Sequence, residues 1–219
     1  VIVPPKGYWE RVQEICTKYN ILLHIDEVVC GMGRAGAWFG YQHYGIKPDI
    51  VTYGKIIGGG LPVGMYGASA EIMGHVSPDG GVYQAGTLSG NPVAMAAGIA
   101  TLTELLRAGF YKELNNKTQD FVASIQRFAD ARNYKFKVFT VGSIFWFAFT
   151  DSDIKTADDI DPTSMEKFKV MHRELLNRGI YLGPSGYEVG FVSAAHTKIE
   201  LEKAKRAIFD SLDLVFSKK

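Results

Sequence analysis

The nine residues Ile21–Val29, ILLHIDEVV, are apolar apart from one histidine and two consecutive acids. A run this short and this apolar reads as a strand covered on both faces, of the kind that fills the middle of a parallel sheet. Before it lies Gly7–Asn20, whose Trp9, Val12, Ile15 and Cys16 recur at helical spacing. After it come a glycine-rich segment from Cys30 to Asp49, a second short apolar run at Ile50–Gly54 and a third at Val63–Ser69. Helical and strand-like segments alternating in this order predict α/β layering around a mostly parallel sheet.

In an open sheet of that kind, ligands gather beyond the carboxyl ends of the strands. Asp26 and Lys55 each stand at such an end. Taken alone, Asp26 is a strand-end cap or a salt-bridge partner, and Lys55 a solvated lysine. Taken as a pair, they are opposite charges that neighbouring strands would bring to one edge. Gly58, Gly59 and Gly60 follow the lysine. They either make a turn or let the backbone approach a flat ligand, since no Cβ intrudes.

A lysine amine titrates near pH ~10.4 and is protonated at neutral pH, so it attacks a carbonyl only after losing that proton. Pyridoxal phosphate answers this by taking the lysine as a Schiff base. The electron-withdrawing power of its ring depends on a protonated ring nitrogen, which a facing carboxylate stabilises. One strand-end Asp and one strand-end Lys are the least equipment a protein needs for that cofactor.

The rest of the chain organises around this edge. Gly86–Pro92, GTLSGNP, leads into a long helical pattern that Gly109 is expected to interrupt. Phe136–Thr150 reads as a β-hairpin turning at Val141-Gly142-Ser143, followed by a helix over Pro162–Arg178, a short strand at Gly179–Leu182 and a closing helix from Lys198. The expected division is a partial cofactor domain over residues 1–108, a connecting helical region over 109–134 and a small α+β domain over 135–219.

Charge and composition exclude several functions. Of 219 residues, 24 are Lys or Arg and 23 Asp or Glu, a net charge of +1 with no basic field for nucleic acid. No leader or membrane span is expected, and Cys16 and Cys30 form no disulfide framework, which fits a reducing, cytoplasmic setting. His24, His43, His75, His172 and His196 lack metal-ligand spacing, so no metal is expected; His24 is expected to be a packed core residue. Nothing near Cys30 would lower its pKa, and Trp38, Phe39 and Tyr41 are expected to pack.

The segments DEVVCGMGR, KPDIVTYGKIIGGGLPVGMYG and YQAGTLSGNPVAMAAG resemble the class III, or ω-type, aminotransferases of fold type I. From Lys55 to Gly98, and again in RGIYLGPSGYEVGFVSAAHT (Arg178–Thr197), the chain is most similar to the glutamate-1-semialdehyde 2,1-aminomutase branch. The resemblance implies the C-terminal half of a fold type I pyridoxal 5'-phosphate enzyme, with part of the large domain and a small α+β domain. Lys55 would be the Schiff-base lysine and Asp26 the partner of the ring nitrogen. Val28 would pack on one ring face, as well as being an ordinary core valine. Gly86 and Thr87 would hold the phosphate across a homodimer interface, although Thr87 or Ser89 could instead cap the following helix. Glu188 would lie near the substrate, or on the surface.

The same resemblance implies a small-molecule amino-acid substrate and leaves three readings open. One is the aminomutase, which makes 5-aminolevulinate for tetrapyrrole synthesis. Another is an ω-aminotransferase acting on an amine or β-amino acid with a keto-acid acceptor, which the wording VVCGMGRAGAWFG favours. In the third, the chain is an inactive piece of either, because family members run to about twice this length and the N-terminal half normally supplies part of the phosphate clamp.

Overall fold

A computed structural model describes residues 1–217. The chain divides into two compact units, one formed by Pro5–Tyr111 and the other by Val1–Pro4 together with the residues from Lys112 onward.

The first unit begins with helix α1, Tyr8–Lys18, entered through Gly7 in the left-handed region (φ 87°). Its apolar stripe, Trp9, Val12 and Cys16, packs against Leu23, Ile25 and Ile46 together with Tyr41 and Tyr44, the one-sided burial that helical spacing demands. Strand β1 covers only His24–Asp26, a third of the apolar run. It pairs in parallel with β2, Ile50–Gly54, with Ile25 opposite Val51 and Asp26 opposite Thr52. Strand β3, Gly64–Ala68, then returns antiparallel to β2. The sheet described here is therefore mixed, with one pair of each sense in the order β1-β2-β3.

Two helices complete this unit's pattern. The four-residue α2, Ala70–Met73, is capped by the Ser69 hydroxyl, which accepts the Ile72 amide. Helix α3, Pro92–Leu105, starts at Asn91, whose side-chain oxygen accepts the amides of Val93 and Ala94 at 3.0 and 3.1 Å, with Pro92 in the first turn. The helical run is interrupted at Gly109 as expected: α3 ends at Leu105, and the left-handed Gly109 (φ 83°) closes the break before α4, Phe110–Ala131.

In the second unit, strands β4, Lys137–Val141, and β5, Ile144–Ala148, form the expected hairpin around Gly142 (φ 58°) and Ser143. All five residues of β5 are buried, because β4 lies on one side and the two-residue β6, Gly190–Phe191, on the other. Helices α5, Ser164–Asn177, and α6, Lys198–Ser217, supply Met171, Leu175, Ile208 and Leu212 to a core shared with Ile125 and Phe136. Two hydroxyls in that core, on Thr118 and Ser211, donate to the carbonyls four residues earlier at 2.9 and 2.7 Å, so neither leaves a polar orphan.

Two expectations fail. Gly179–Leu182 is no strand: the Ile180 amide donates to the Leu175 carbonyl at 2.8 Å, winding the chain back onto the end of α5. His24 is not a core residue. It lies on the exposed side of β1, where its Nε2 sits 3.3 Å from the Thr52 hydroxyl. Strand alternation puts Leu23, Ile25 and Glu27 on the buried face and His24 and Asp26 on the other.

Candidate functional site

The carboxyl ends of β1 and β2 lie side by side, and three of the residues singled out from the sequence, Asp26, Val28 and Lys55, stand there. Asp26 is the last residue of β1 and is exposed. Its Oδ1 accepts the Val28 amide at 2.8 Å, an Asx turn that fixes the rotation of the carboxylate and leaves Oδ2 pointing elsewhere. Val28 lies against Gly54, the last residue of β2; a Cβ built on Gly54 would come 3.3 Å from Val28 Cγ1. Gly54 thus lets the two strand ends close together immediately before Lys55.

Lys55 is exposed and opens a 3-10 turn, Lys55–Gly58, with φ 54°. A left-handed lysine costs about 1–2 kcal/mol relative to the right-handed form. Such a conformation survives only where its surroundings impose it. They do so from behind: Gly59 is also left-handed (φ 59°), and a Cβ there would lie 2.5 Å from the Ala97 carbonyl oxygen of α3. The helix is seated directly on the turn that carries the lysine.

Gly86 and Thr87 sit in the exposed turn before α3. The Gly86 carbonyl accepts the Ser89 amide at 2.9 Å, and a Cβ on Gly86 would meet Ser89 Oγ at 2.9 Å. The capping alternative for Thr87 and Ser89 is set aside, since Asn91 caps the helix. Gly86 lines an open cleft of about 530 Å³ walled by Met32, Ile57, Met65, Leu88, Met95 and Leu102; Lys55 and Asp26 do not line it. Glu188 belongs to the other unit. It is exposed, its amide donates to the Ser185 carbonyl at 3.0 Å, and its carboxylate lies over Gly183, where a Cβ would clash with Oε2.

Sequence reasoning missed the group beneath this edge. Glu27 is 3% exposed, and its carboxylate accepts the amides of Gly40 at 3.0 Å and Tyr41 at 2.8 Å. Arg34 reaches back to the carbonyls of Val28 and Val29 at 3.2 and 3.4 Å. The signal for Glu27 was its position: it continues the buried alternation of Leu23 and Ile25, and a carboxylate there must be paired. Tyr53, below it, has its phenol pushed up by burial, with Tyr41 and Glu27 adding to the shift. Phe39 stacks on Tyr41 (5.3 Å, 9°), and Trp38 meets Tyr111 edge-on, so the aromatic cluster packs as expected.

Burial raises the Cys30 thiol above its ordinary value, with the charges of Glu27 and Asp26 adding and Arg34 opposing, so it is no reactive thiolate. Among the described residues no cluster of His, Cys, Asp and Glu could hold a metal ion. No single described helix is long and apolar enough to cross a membrane.

The residues present suit pyridoxal phosphate on chemical grounds. An amine on a left-handed backbone and a carboxylate whose Oδ1 is held by the Val28 amide stand at adjacent strand ends, with the Val28 side chain against Gly54.

Comparison with known proteins gives the family and the fold. Residues 1–208 match the aminotransferase class-III family. The chain is 45% identical over 210 residues to a glutamate-1-semialdehyde 2,1-aminomutase from Desulforapulum autotrophicum, covering 95% of the chain and 49% of the relative. It is 42% identical over 217 residues to the enzyme of that name from Legionella pneumophila strain Paris, covering 99% and 50%. Among solved structures it resembles an omega-transaminase from Sphaerobacter thermophilus with TM-score 0.87 and 28% identity, over 97% of this chain and 48% of that one. An (S)-enantioselective omega-transaminase from Thermomicrobium roseum gives 0.79 and 30%, over 97% and 48%. The chain spans about half the length of the curated relatives it matches.

Proposed function

Because the chain belongs to the class-III aminotransferase family, whose members are pyridoxal-phosphate enzymes of fold type I, we propose that it is the C-terminal half of a glutamate-1-semialdehyde 2,1-aminomutase. The observation that carries this reading is the 42–45% identity to curated aminomutases along 95–99% of the chain, against 28–30% to the two omega-transaminases.

When bound, pyridoxal phosphate supplies an aldehyde carbon and an electron-withdrawing ring. Lys55 holds it covalently through Nζ. The rigid left-handed backbone fixes where the side chain begins, and its four-carbon stem lets the amine swing toward the substrate. The Lys55 amine would carry protons between the substrate carbon and C4′ of the cofactor, as a general base and then a general acid. Asp26 would face the protonated ring nitrogen, and the Val28 amide, donating to its Oδ1, restrains the carboxylate's rotation. Val28 methyls cover one ring face and exclude water there. Thr87 and the Gly86 amide bind the phosphate of a homodimeric partner, consistent with their exposure in this chain. Glu188 is assigned to the substrate by the resemblance of Arg178–Thr197 to the aminomutases alone.

An intramolecular transfer needs no outside amine. The intact protein given glutamate 1-semialdehyde alone should therefore release 5-aminolevulinate. Product that forms only when an amine or β-amino acid and a keto acid are both added would establish the ω-aminotransferase reading instead, which the loop wording VVCGMGRAGAWFG and the omega-transaminase neighbours favour. The 219-residue chain assayed alone is expected to be inactive, since it carries about half of its relatives' length.

A further inference from the structure

Glu27 sits where the mechanism above makes no use of it, yet it is built in more tightly than any residue of the site. Its backbone amide donates to the Thr52 carbonyl at 2.9 Å, carrying the β1-β2 ladder one step beyond Asp26. Its carbonyl accepts the Gly31 amide at 2.9 Å. Each carboxylate oxygen takes one amide from the start of the 3-10 turn Gly40–Tyr44. Two glycines make room for it: a Cβ on Gly31 would come 2.8 Å from the Glu27 carbonyl oxygen and 3.1 Å from Oε2, and one on Gly40 would come 3.3 Å from both carboxylate oxygens.

Two amide donors from one turn, closing on a buried anion, are stronger than ordinary hydrogen bonds and are directional. They lock Glu27 from the face opposite Asp26, and Arg34 holds the carbonyls of Val28 and Val29 just beyond it. Rotation of the backbone at 26–28 would have to break both sets of contacts. We infer that Glu27 is a positioning residue for Asp26: by anchoring the strand end to the 40–41 turn, it holds the Asp26–Val28 Asx turn in the orientation the ring nitrogen requires. This rests on the reading of Asp26 as the partner of that nitrogen.

Glu27→Gln tests it, because an amide can accept only one of the two N–H groups and turns its own NH2 toward the other. In the intact protein we expect faster hydrogen exchange, by tenfold or more, at the amides of Gly40, Tyr41 and, decisively, Val28. We also expect a shift of at least half a unit in the pH midpoint of the absorbance of bound pyridoxal phosphate. Loss of thermal stability with Val28 exchange and the absorbance midpoint both unchanged would overturn the inference and leave Glu27 a purely structural anchor. Should the Gln variant not fold, Gly40→Ala, whose Cβ would lie 3.3 Å from both carboxylate oxygens, presses on the same carboxylate and is read in the same way. Borohydride labelling of Lys55 in the unaltered protein separates the two claims. Its absence would remove the cofactor reading, while Val28 exchange would still decide whether Glu27 positions Asp26.

Discussion

Gly98 of helix α3 lies against the backbone of Ile57, so close that a Cβ on Gly98 would fall 2.3 Å from the Ile57 carbonyl oxygen. Gly59 makes the reciprocal approach to Ala97. The helix can seat itself on the lysine-bearing turn only because neither residue has a side chain at the crossing. Gly98→Ala should therefore force the helix off the turn and destabilise the protein by about 1–3 kcal/mol, the usual cost of overpacking. Gly67→Ala is the control. Gly67 lies in β3 with open space around its Cβ position, and the substitution should be neutral or stabilising by about 0.5–1 kcal/mol. Chemical denaturation of both variants checks the difference.

The left-handed backbone of Lys55 separates its structural cost from its chemical use. Lys55→Gly removes the amine and relieves the positive φ, whereas Lys55→Ala removes the amine and keeps the strain. The glycine variant should be the more stable of the two by about 1 kcal/mol. Both should lose the borohydride-fixed pyridoxyl label that mass mapping finds on Lys55 in the parent. Equal stabilities would mean that the turn relaxes its geometry once the lysine is gone.

Asn91 and Thr87 stand four residues apart and should respond oppositely. Asn91→Ala strips two amide bonds from the start of α3 and should cost about 0.5–2 kcal/mol. Thr87→Ala should leave the melting temperature unchanged but weaken pyridoxal phosphate binding by the intact protein by roughly tenfold, the loss of about 1.4 kcal/mol of hydrogen bonding. A fall in stability with no change in cofactor affinity would place Thr87 in the fold and not in the phosphate site.

Cys30 supplies a pH test. Burial, together with the negative charges of Glu27 and Asp26, raises its thiol pKa, so the thiolate forms only at higher pH than in an unperturbed cysteine, whose midpoint is about 8.5. Alkylation by iodoacetamide, followed peptide by peptide, should show its midpoint above that value. Asp26→Asn removes one of the raising charges and should move the midpoint down. A midpoint that stays put in that variant would separate Cys30 from the Asp26 carboxylate.

Asp26 and Lys55 were legible as strand-end residues because each closes an apolar run, and each does stand at a strand end; Gly86 and Thr87 were singled out only by the resemblance of YQAGTLSGNPVAMAAG to the family. Glu27 was not singled out by the sequence. Its two bonds are to residues 13 and 14 positions away, in a loop with no periodicity. The failed strand at Gly179–Leu182 has a related origin. A short apolar stretch does not say whether its amides will find a strand or the preceding helix, and here Ile180 found Leu175. His24 sat in an apolar run and was taken for core, yet strand alternation had placed it on the open face with Asp26.

What the order of residues determined by itself was local: which segments coil, where the strands stop, and which charged side chains stand at their ends. Each of those depends on contacts between near neighbours along the chain. Tertiary structure alone decided that Asp26 falls opposite Thr52, that β3 returns antiparallel to β2, and that α3 seats on the turn that Lys55 opens. It also decided that a buried carboxylate braces the acid beside it. Those arrangements arise from close approach between segments far apart in sequence, and the room for it is made by glycines whose purpose shows only once their neighbours in space are known.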